Sequence, residues 1–308
     1  MHLRWNLREH CALACYVAKW FVIASILGIG IGTAVALFLW CLEHAMLLRF
    51  AHPALLYGLP FGGLAIGLLY HYFGRKVENG NNLILEQIHE PGAGVPLRMA
   101  PLVLIGTVAT HLFGGSAGRE GTAVQMGGSL AGEMGRWLRM SPQNARTLLM
   151  AGIAGGFGAV FGTPLTGAIF AMEVLAIGRM SYDAIVPCLI ASIVGDCTVR
   201  LWGLEHSHYH IAALLPHGGR LALAPLNGTL AIKVGIAAVA FGLASLLFAE
   251  TTHRLQHAFK RLVPWPFMRP VLGGCIVIAM TLFLGTSDYL GLGTMAAPND
   301  AHAVTIQS

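Results

Sequence analysis

A chain of 308 residues that is 56% hydrophobic and only 11% charged, with a mean hydropathy of +0.67, excludes an ordinary soluble domain. Such a domain carries roughly twice that charged fraction. The net charge of +5 rests on nineteen Lys and Arg that are scattered and often flank apolar runs, which excludes a nucleic-acid-binding surface.

Trp20 to Leu42 and Leu148 to Met172 contain no Asp, Glu, Lys or Arg. Each is long enough for a hydrocarbon core of about 30 Å. Shorter apolar runs lie near 54–70, 99–113, 184–195, 234–249 and 271–287. The expectation is an all-α, polytopic membrane protein of about eight to ten helices, several too short to cross alone, as in transporters that hold a site at mid-membrane.

In chain order, residues 1–18 read as a short amphipathic helix at the membrane surface, and 19–45 as the first long helix. Arg4, Arg8 and Lys19 favour a cytoplasmic N-terminus. The first apolar run is too long for the core of a cleavable signal peptide. Gly28 and Gly32 have the spacing of a close helix contact. A second helix fills 54–74 and ends at Arg75-Lys76. Glu78-Asn79-Gly80-Asn81-Asn82 is a polar turn opening a short segment, Leu83 to Glu90; its Asn and Gly residues suit a helix start or a nest of backbone N–H groups.

A helix over 97–113 leads into Gly114-Gly115-Ser116-Ala117-Gly118-Arg119-Glu120-Gly121-Thr122, followed by a helix over 120–137. This run places a carboxylate among glycines at a helix start inside an apolar protein. Burying such a group is costly and marks an ion or proton pathway. Glycine lets backbone N–H groups approach an anion, and the helix N-terminus adds partial positive charge. Residues 144–162 are dense in glycine, with Gly152/Gly156 and Gly158/Gly162 in small-xxx-small spacing. Thr163-Pro164 starts a helix that carries Glu173 near its end. A further helix spans 182–203, residues 204–228 read as a polar loop joining two halves, and two helices follow near 229–252 and 268–285. The stretch 291–308 reads as a tail.

Other patterns carry less. Cys11, Cys15, Cys41, Cys188, Cys197 and Cys275 mostly sit in or beside apolar segments and read as reduced, packed thiols. Cys11 and Cys15 lack the second ligand pair of a zinc site. His206, His208 and His210 read as a solvated face rather than a metal site. No strand precedes the glycine-rich stretch, so it is not a dinucleotide fingerprint, and no nucleophile or metal constellation suggests an enzyme.

These landmarks, in this order, resemble the CLC family of chloride channels and anion/proton antiporters. Gly118-Arg119-Glu120-Gly121 resembles the family's gating-glutamate motif, with Thr122 in place of the usual proline. Gly80-Asn81-Asn82-Leu83-Ile84 stands where the family has a serine-bearing turn, and Gly162-Thr163-Pro164-Leu165-Thr166-Gly167-Ala168 resembles the turn that follows. The two departures look like the fluoride-specific branch.

The resemblance implies a CLC-type inverted-repeat helical bundle with short and re-entrant helices: residues 1–203 as the first repeat, 204–228 as a connection and 229–290 as the start of the second. It implies Glu120 as gate and proton carrier. It implies anion binding at Asn81, through its side-chain amide, and at Gly80, Asn82, Gly118, Arg119 and Gly121. Glu173 is a candidate for a second proton role, although the family's inner relay acid aligns with Val174.

The implied function is movement of a small anion, fluoride before chloride, in exchange for protons, across a cell inner membrane, with a homodimer as the default assembly and no cofactor or metal. The rival reading within the family is a chloride channel or exchanger. The family's second half adds a further glycine-rich turn and an anion-binding tyrosine, neither of which follows residue 229. The expectation is therefore a chain cut short with an incomplete site, and the rival from another class is a membrane fragment or assembly partner that transports nothing.

Overall fold

A computed structural model describes residues 7–75, 77–89, 94–173, 181–206, 228–287 and 290–291. Among these residues the secondary structure is helical, with no strand. The helices are α1 (Leu7–Ala51), α2 (Leu59–Phe73), α3 (Asn81–His89), α4 (Met99–Leu112), α5 (Arg119–Trp137), α6 (Pro142–Phe161), α7 (Pro164–Glu173), α8 (Ile185–Leu201), α9 (Gly228–Leu262) and α10 (Arg269–Leu284). Five segments are long and apolar enough to cross a membrane: Ala14–Ala51, Pro53–Phe73, Tyr182–Leu201, Ala231–Leu262 and Pro266–Leu284. Their length and apolar composition suit a multi-pass membrane protein.

Small residues let the helices close on one another, because without a hydrophobic force between helices in lipid, close backbone contact carries the association. A Cβ on Gly28 would meet the Ala191 carbonyl and Val194, and one on Gly32 the Gly195 carbonyl and Thr198. This register makes α1 and α8 parallel. Gly155 meets Ile31 and Ala191, and Gly195 meets Gly155 and Ala159, so α6 runs parallel to both. Gly127 abuts the Gly152 carbonyl and Gly156 abuts that of Ala123, so α5 runs antiparallel to α6. Trp20, Ile31, Phe38, Met126, Leu148, Met150 and Ile153 fill the space between these four helices.

The structure departs from the sequence reading at α1 and at α9. The surface helix over 1–18 and the first span form one helix, α1, unbroken from Leu7 to Ala51. No Gly or Pro interrupts Ala12 to Trp20, so nothing stops the hydrogen-bond ladder where polarity changes. At 45 residues it is about 68 Å long, over twice the hydrocarbon core.

The charge-free run from Leu148 to Met172 breaks at Thr163-Pro164, as the sequence reading has it, so it is two helices and not the single span that its length alone allows. Gly162 ends α6 in the left-handed conformation (φ 69°), and α7 folds back beside α6 with Gly167 against the Ala154 carbonyl and Phe157 stacked on Phe170 at 4.5 Å. Finally, α9 continues ten residues past the expected end at 252. An exposed Arg254–Glu250 pair of 2.7 Å lies one turn apart there, which suits a helix that has left the hydrocarbon. Val174, His208, His210, the rest of the connection to residue 227, and the tail from residue 292 lie outside the described residues.

Candidate anion-binding site

Two helix N-termini meet at one cavity. The turn before α3 closes with Asn82 N–H donating to the Asn79 carbonyl (3.0 Å) and Leu83 N–H to that of Gly80 (3.2 Å). Gly80 supplies the positive φ of 54° that this turn requires. Asn81 thus becomes the first residue of α3. Across from it, Gly118 in extended conformation precedes α5, whose first turn holds Glu120 and Gly121. The cavity is about 120 Å³ and is lined by Asn81, Glu120, Gly121, Val124, Phe157 and Phe170, with Ile84, Leu85 and Ile153 completing the wall.

The glycines bring the two helix starts and their side chains close together. A Cβ on Gly121 would come to 3.4 Å from Asn81 Nδ2, which places the start of α5 in contact with the amide at the start of α3. A Cβ on Gly118 would lie 3.2 Å from Glu120 Oε2, so the Glu120 carboxylate folds back over its own helix start. Among the described residues, neither the Asn81 amide nor the Glu120 carboxylate is tied up in a hydrogen bond or ion pair.

Thr122, which departs from the family proline, is buried. Its hydroxyl bonds the Gly118 carbonyl at 3.2 Å and the Thr107 hydroxyl at 2.7 Å, pinning the start of α5 to α4. The chemistry available is therefore a set of N–H donors and positive helix ends beside one unpaired carboxylate in a mostly apolar pocket, which suits a small anion.

The other expected residues divide. Gly80, Asn82, Gly118 and Arg119 border the cavity through the two helix starts, but are not among its described lining. The Arg119 guanidinium stacks 5.6 Å over the Phe161 ring. Glu173 is exposed at the last position of α7, away from this cavity. Glu120 itself is exposed, where a buried acid was expected. The cavity opens beside it, and no described helix closes that side.

The sequence reading missed three groups. Gln125 stands one turn beyond Gly121, its Nε2 3.3 Å from where a Cβ of Gly80 would be; its i+4 spacing from Gly121 was the available signal. Phe157 and Phe170 form the aromatic wall, brought together only by the fold-back of α7. Asp196, at the edge of an apolar run, is a buried carboxylate in α8. It pairs with Arg200 at 2.9 Å and lies 3.3 Å from His206 Nε2.

His206 is accordingly not a solvated residue: its side chain is 13% exposed, and its ring fills the space a Cβ on Gly162 would need. Burial pushes its pKa below the ordinary 6.5, while Asp196 opposes that shift and the cations Arg200 and Arg119 add to it. All six cysteines are free, but only Cys188 is packed in the core; Cys11, Cys15, Cys197 and Cys275 are exposed, contrary to the expectation of packed thiols.

The sequence pattern of the voltage gated chloride channel family matches residues 62–304. The chain belongs to that family. A chloride/fluoride channel protein of Pseudomonas syringae pv. tomato is 47% identical over 282 residues, covering 92% of this chain and 60% of the relative. An H(+)/Cl(-) exchange transporter ClcA of Klebsiella pneumoniae is 31% identical over 58% of this chain and 37% of its own length. Among solved structures, a CLC-type fluoride/proton antiporter is 32% identical and superposes with a TM-score of 0.80 over 90% of this chain and 68% of that one. A slow cyanobacterial Cl-/H+ antiporter, 22% identical with a TM-score of 0.71, supports the fold alone. The chain spans about 60% of the length of the Pseudomonas relative.

Proposed function

We propose that this protein moves a small inorganic anion across a membrane, fluoride ahead of chloride, in exchange for protons carried by Glu120. The observation that carries this reading is the single cavity shared by Asn81, Gly121 and Glu120 at the N-termini of α3 and α5. An anion there is held by backbone and amide N–H groups; when Glu120 is ionised, its carboxylate competes for the same donors, and when protonated it yields them. Backbone N–H at Asn82, Gly118, Arg119 and Gly121 complements the Asn81 amide. Fluoride, being small and strongly hydrated, gains most from strong donors that replace water. The 47% identity to a chloride/fluoride channel protein and the likeness to a fluoride/proton antiporter support this choice.

The same reading assigns the protein to a cell inner membrane with the N-terminus of α1 cytoplasmic, because the basic residues at that end follow the positive-inside rule. It assigns a homodimer as the working assembly and a secondary proton role to Glu173.

Liposomes loaded with fluoride or chloride test it. Purified protein is expected to release fluoride much faster than chloride. Glu120→Gln is expected to abolish proton coupling, since a fixed amide cannot cycle a proton, and Asn81→Ser to reduce the fluoride preference. Equal release of both anions, with Asn81→Ser unchanged, favours a chloride pathway instead. The exposure of Glu120 supports one rival: a chain that folds and inserts but lacks one wall of the pathway. Folded, inserted protein with no flux of either anion would establish it.

A further inference from the structure

A second cavity, of about 290 Å³, lies at the opposite end of α5 from Glu120, between the C-terminus of α5 and the N-terminus of α6. Three guanidinium groups line it: Arg136, Arg139 and Arg146. Arg136 pairs with Glu133, one turn earlier on α5, and also donates to the Val95 carbonyl at 3.1 Å. Arg139 and Arg146 are left over. Arg146 Nε is buried without a hydrogen-bond partner, while Arg139 is exposed at the cavity mouth with its side chain bonded to no described residue.

Arg139 is also the one non-glycine among the described residues with positive φ, 48°. That conformation costs about 1 kcal/mol and persists where the surroundings or a function hold it. The connection it turns ends at Ser141 and Pro142, where α6 begins without a side-chain cap; Pro142 brings no N–H and Ala145 N–H is bonded to the Ser141 carbonyl (2.9 Å), which leaves the N–H groups of Gln143 and Asn144 at this helix start without intrahelical partners. Ala131, Gly132 and Ala145 keep the space open, and Trp137 stands beside it 82% exposed, as an aromatic anchor does at a membrane surface. Because α6 runs parallel to α1, this cavity shares the end of the bundle at which α1 starts.

We infer that this cavity is a phosphate-group site, filled by the headgroup of an anionic phospholipid or by free phosphate. Planar guanidinium forks match phosphate oxygens bidentately, an uncapped helix N-terminus adds N–H donors, and basic pockets between membrane helices are suited to such headgroups. The inference does not depend on which anion the protein moves.

The test uses the delipidated full chain in detergent. Its thermal midpoint and native mass spectrum are followed with phosphatidylglycerol, with diacylglycerol of the same chains, and with inorganic phosphate. Phosphatidylglycerol is expected to raise the midpoint and to remain as one adduct per chain, whereas diacylglycerol does neither. A matching rise with inorganic phosphate means that the phosphate suffices; a rise with the phospholipid alone means that the acyl chains contribute. Arg139→Gly relieves the positive φ while removing a guanidinium. It is therefore expected to raise the ligand-free midpoint yet weaken phosphatidylglycerol binding about tenfold, as loss of a charge-assisted hydrogen bond does. No response to either phosphate source, an equal response to diacylglycerol, or unchanged binding in Arg139→Gly and Arg146→Gln overturns the assignment.

Discussion

At the residue scale, His206 shows how burial and charge compete. The ring is pressed on Gly162 beside the Asp196–Arg200 pair, with Arg119 near. Because burial outweighs the attraction of Asp196, the folded protein holds its proton less tightly than the unfolded chain does. The stability His206 contributes is therefore complete above its ordinary pKa of 6.5 and is lost as pH falls through and below that value. Thermal midpoints in detergent should fall more steeply between pH 7 and 5 for the native protein than for His206→Gln. An identical pH profile for the two would show that folding leaves the proton affinity of His206 unchanged.

At the scale of elements, glycine decides which helices touch. A Cβ on Gly152 would lie 2.5 Å from the Gly127 carbonyl and 2.6 Å from Ala131 Cβ, both backbone-fixed positions on α5. Gly152→Val should cost about 1–3 kcal/mol by overpacking, read as a lower thermal midpoint or poorer yield of folded protein. Gly30, where an added Cβ meets nothing within 4 Å, is the control on α1: Gly30→Ala should be neutral or slightly stabilising, since alanine is the better helix former. The sequence spacing announced Gly152 and Gly28 as contact residues, but could not tell which helix each would meet.

At the scale of the whole molecule, the two halves of the chain differ in what covers them. Helices α1, α5, α6 and α8 bury one another, whereas none of the membrane-length window of α9 is buried. α9 exposes Ile232, Ile236, Phe241, Leu247 and Phe248 around its circumference, a pattern suited to lipid or to further protein. At 35 residues it is about 52 Å long, longer than the hydrocarbon core, so its polar end beyond Glu250 must project from it. In proteoliposomes, a cysteine at Val239 should resist a water-soluble maleimide and one at Ala258 should react, in a background with the six native cysteines replaced. Equal reactivity at both would mean that α9 does not cross the bilayer.

The sequence alone determined the class and the helix inventory. Charge-free runs, the Gly162-Thr163-Pro164 break and the glycines around Glu120 act within a few residues, and local chemistry is what a linear reading can see. It also brought forward Glu120 and Gly121, because a carboxylate among glycines at a helix start is a local signature, whereas Asn81 reads locally as a turn residue and came forward only through the resemblance to the family. Only the tertiary structure decided that Asn81 and Glu120 share one cavity with Phe157 and Phe170, that α7 folds back on α6, and that Asp196 and His206 are buried together. Each of these depends on which remote surface covers a side chain. Burial and the electrostatics that follow from it are properties of the packed whole, so no span of neighbouring residues carries them.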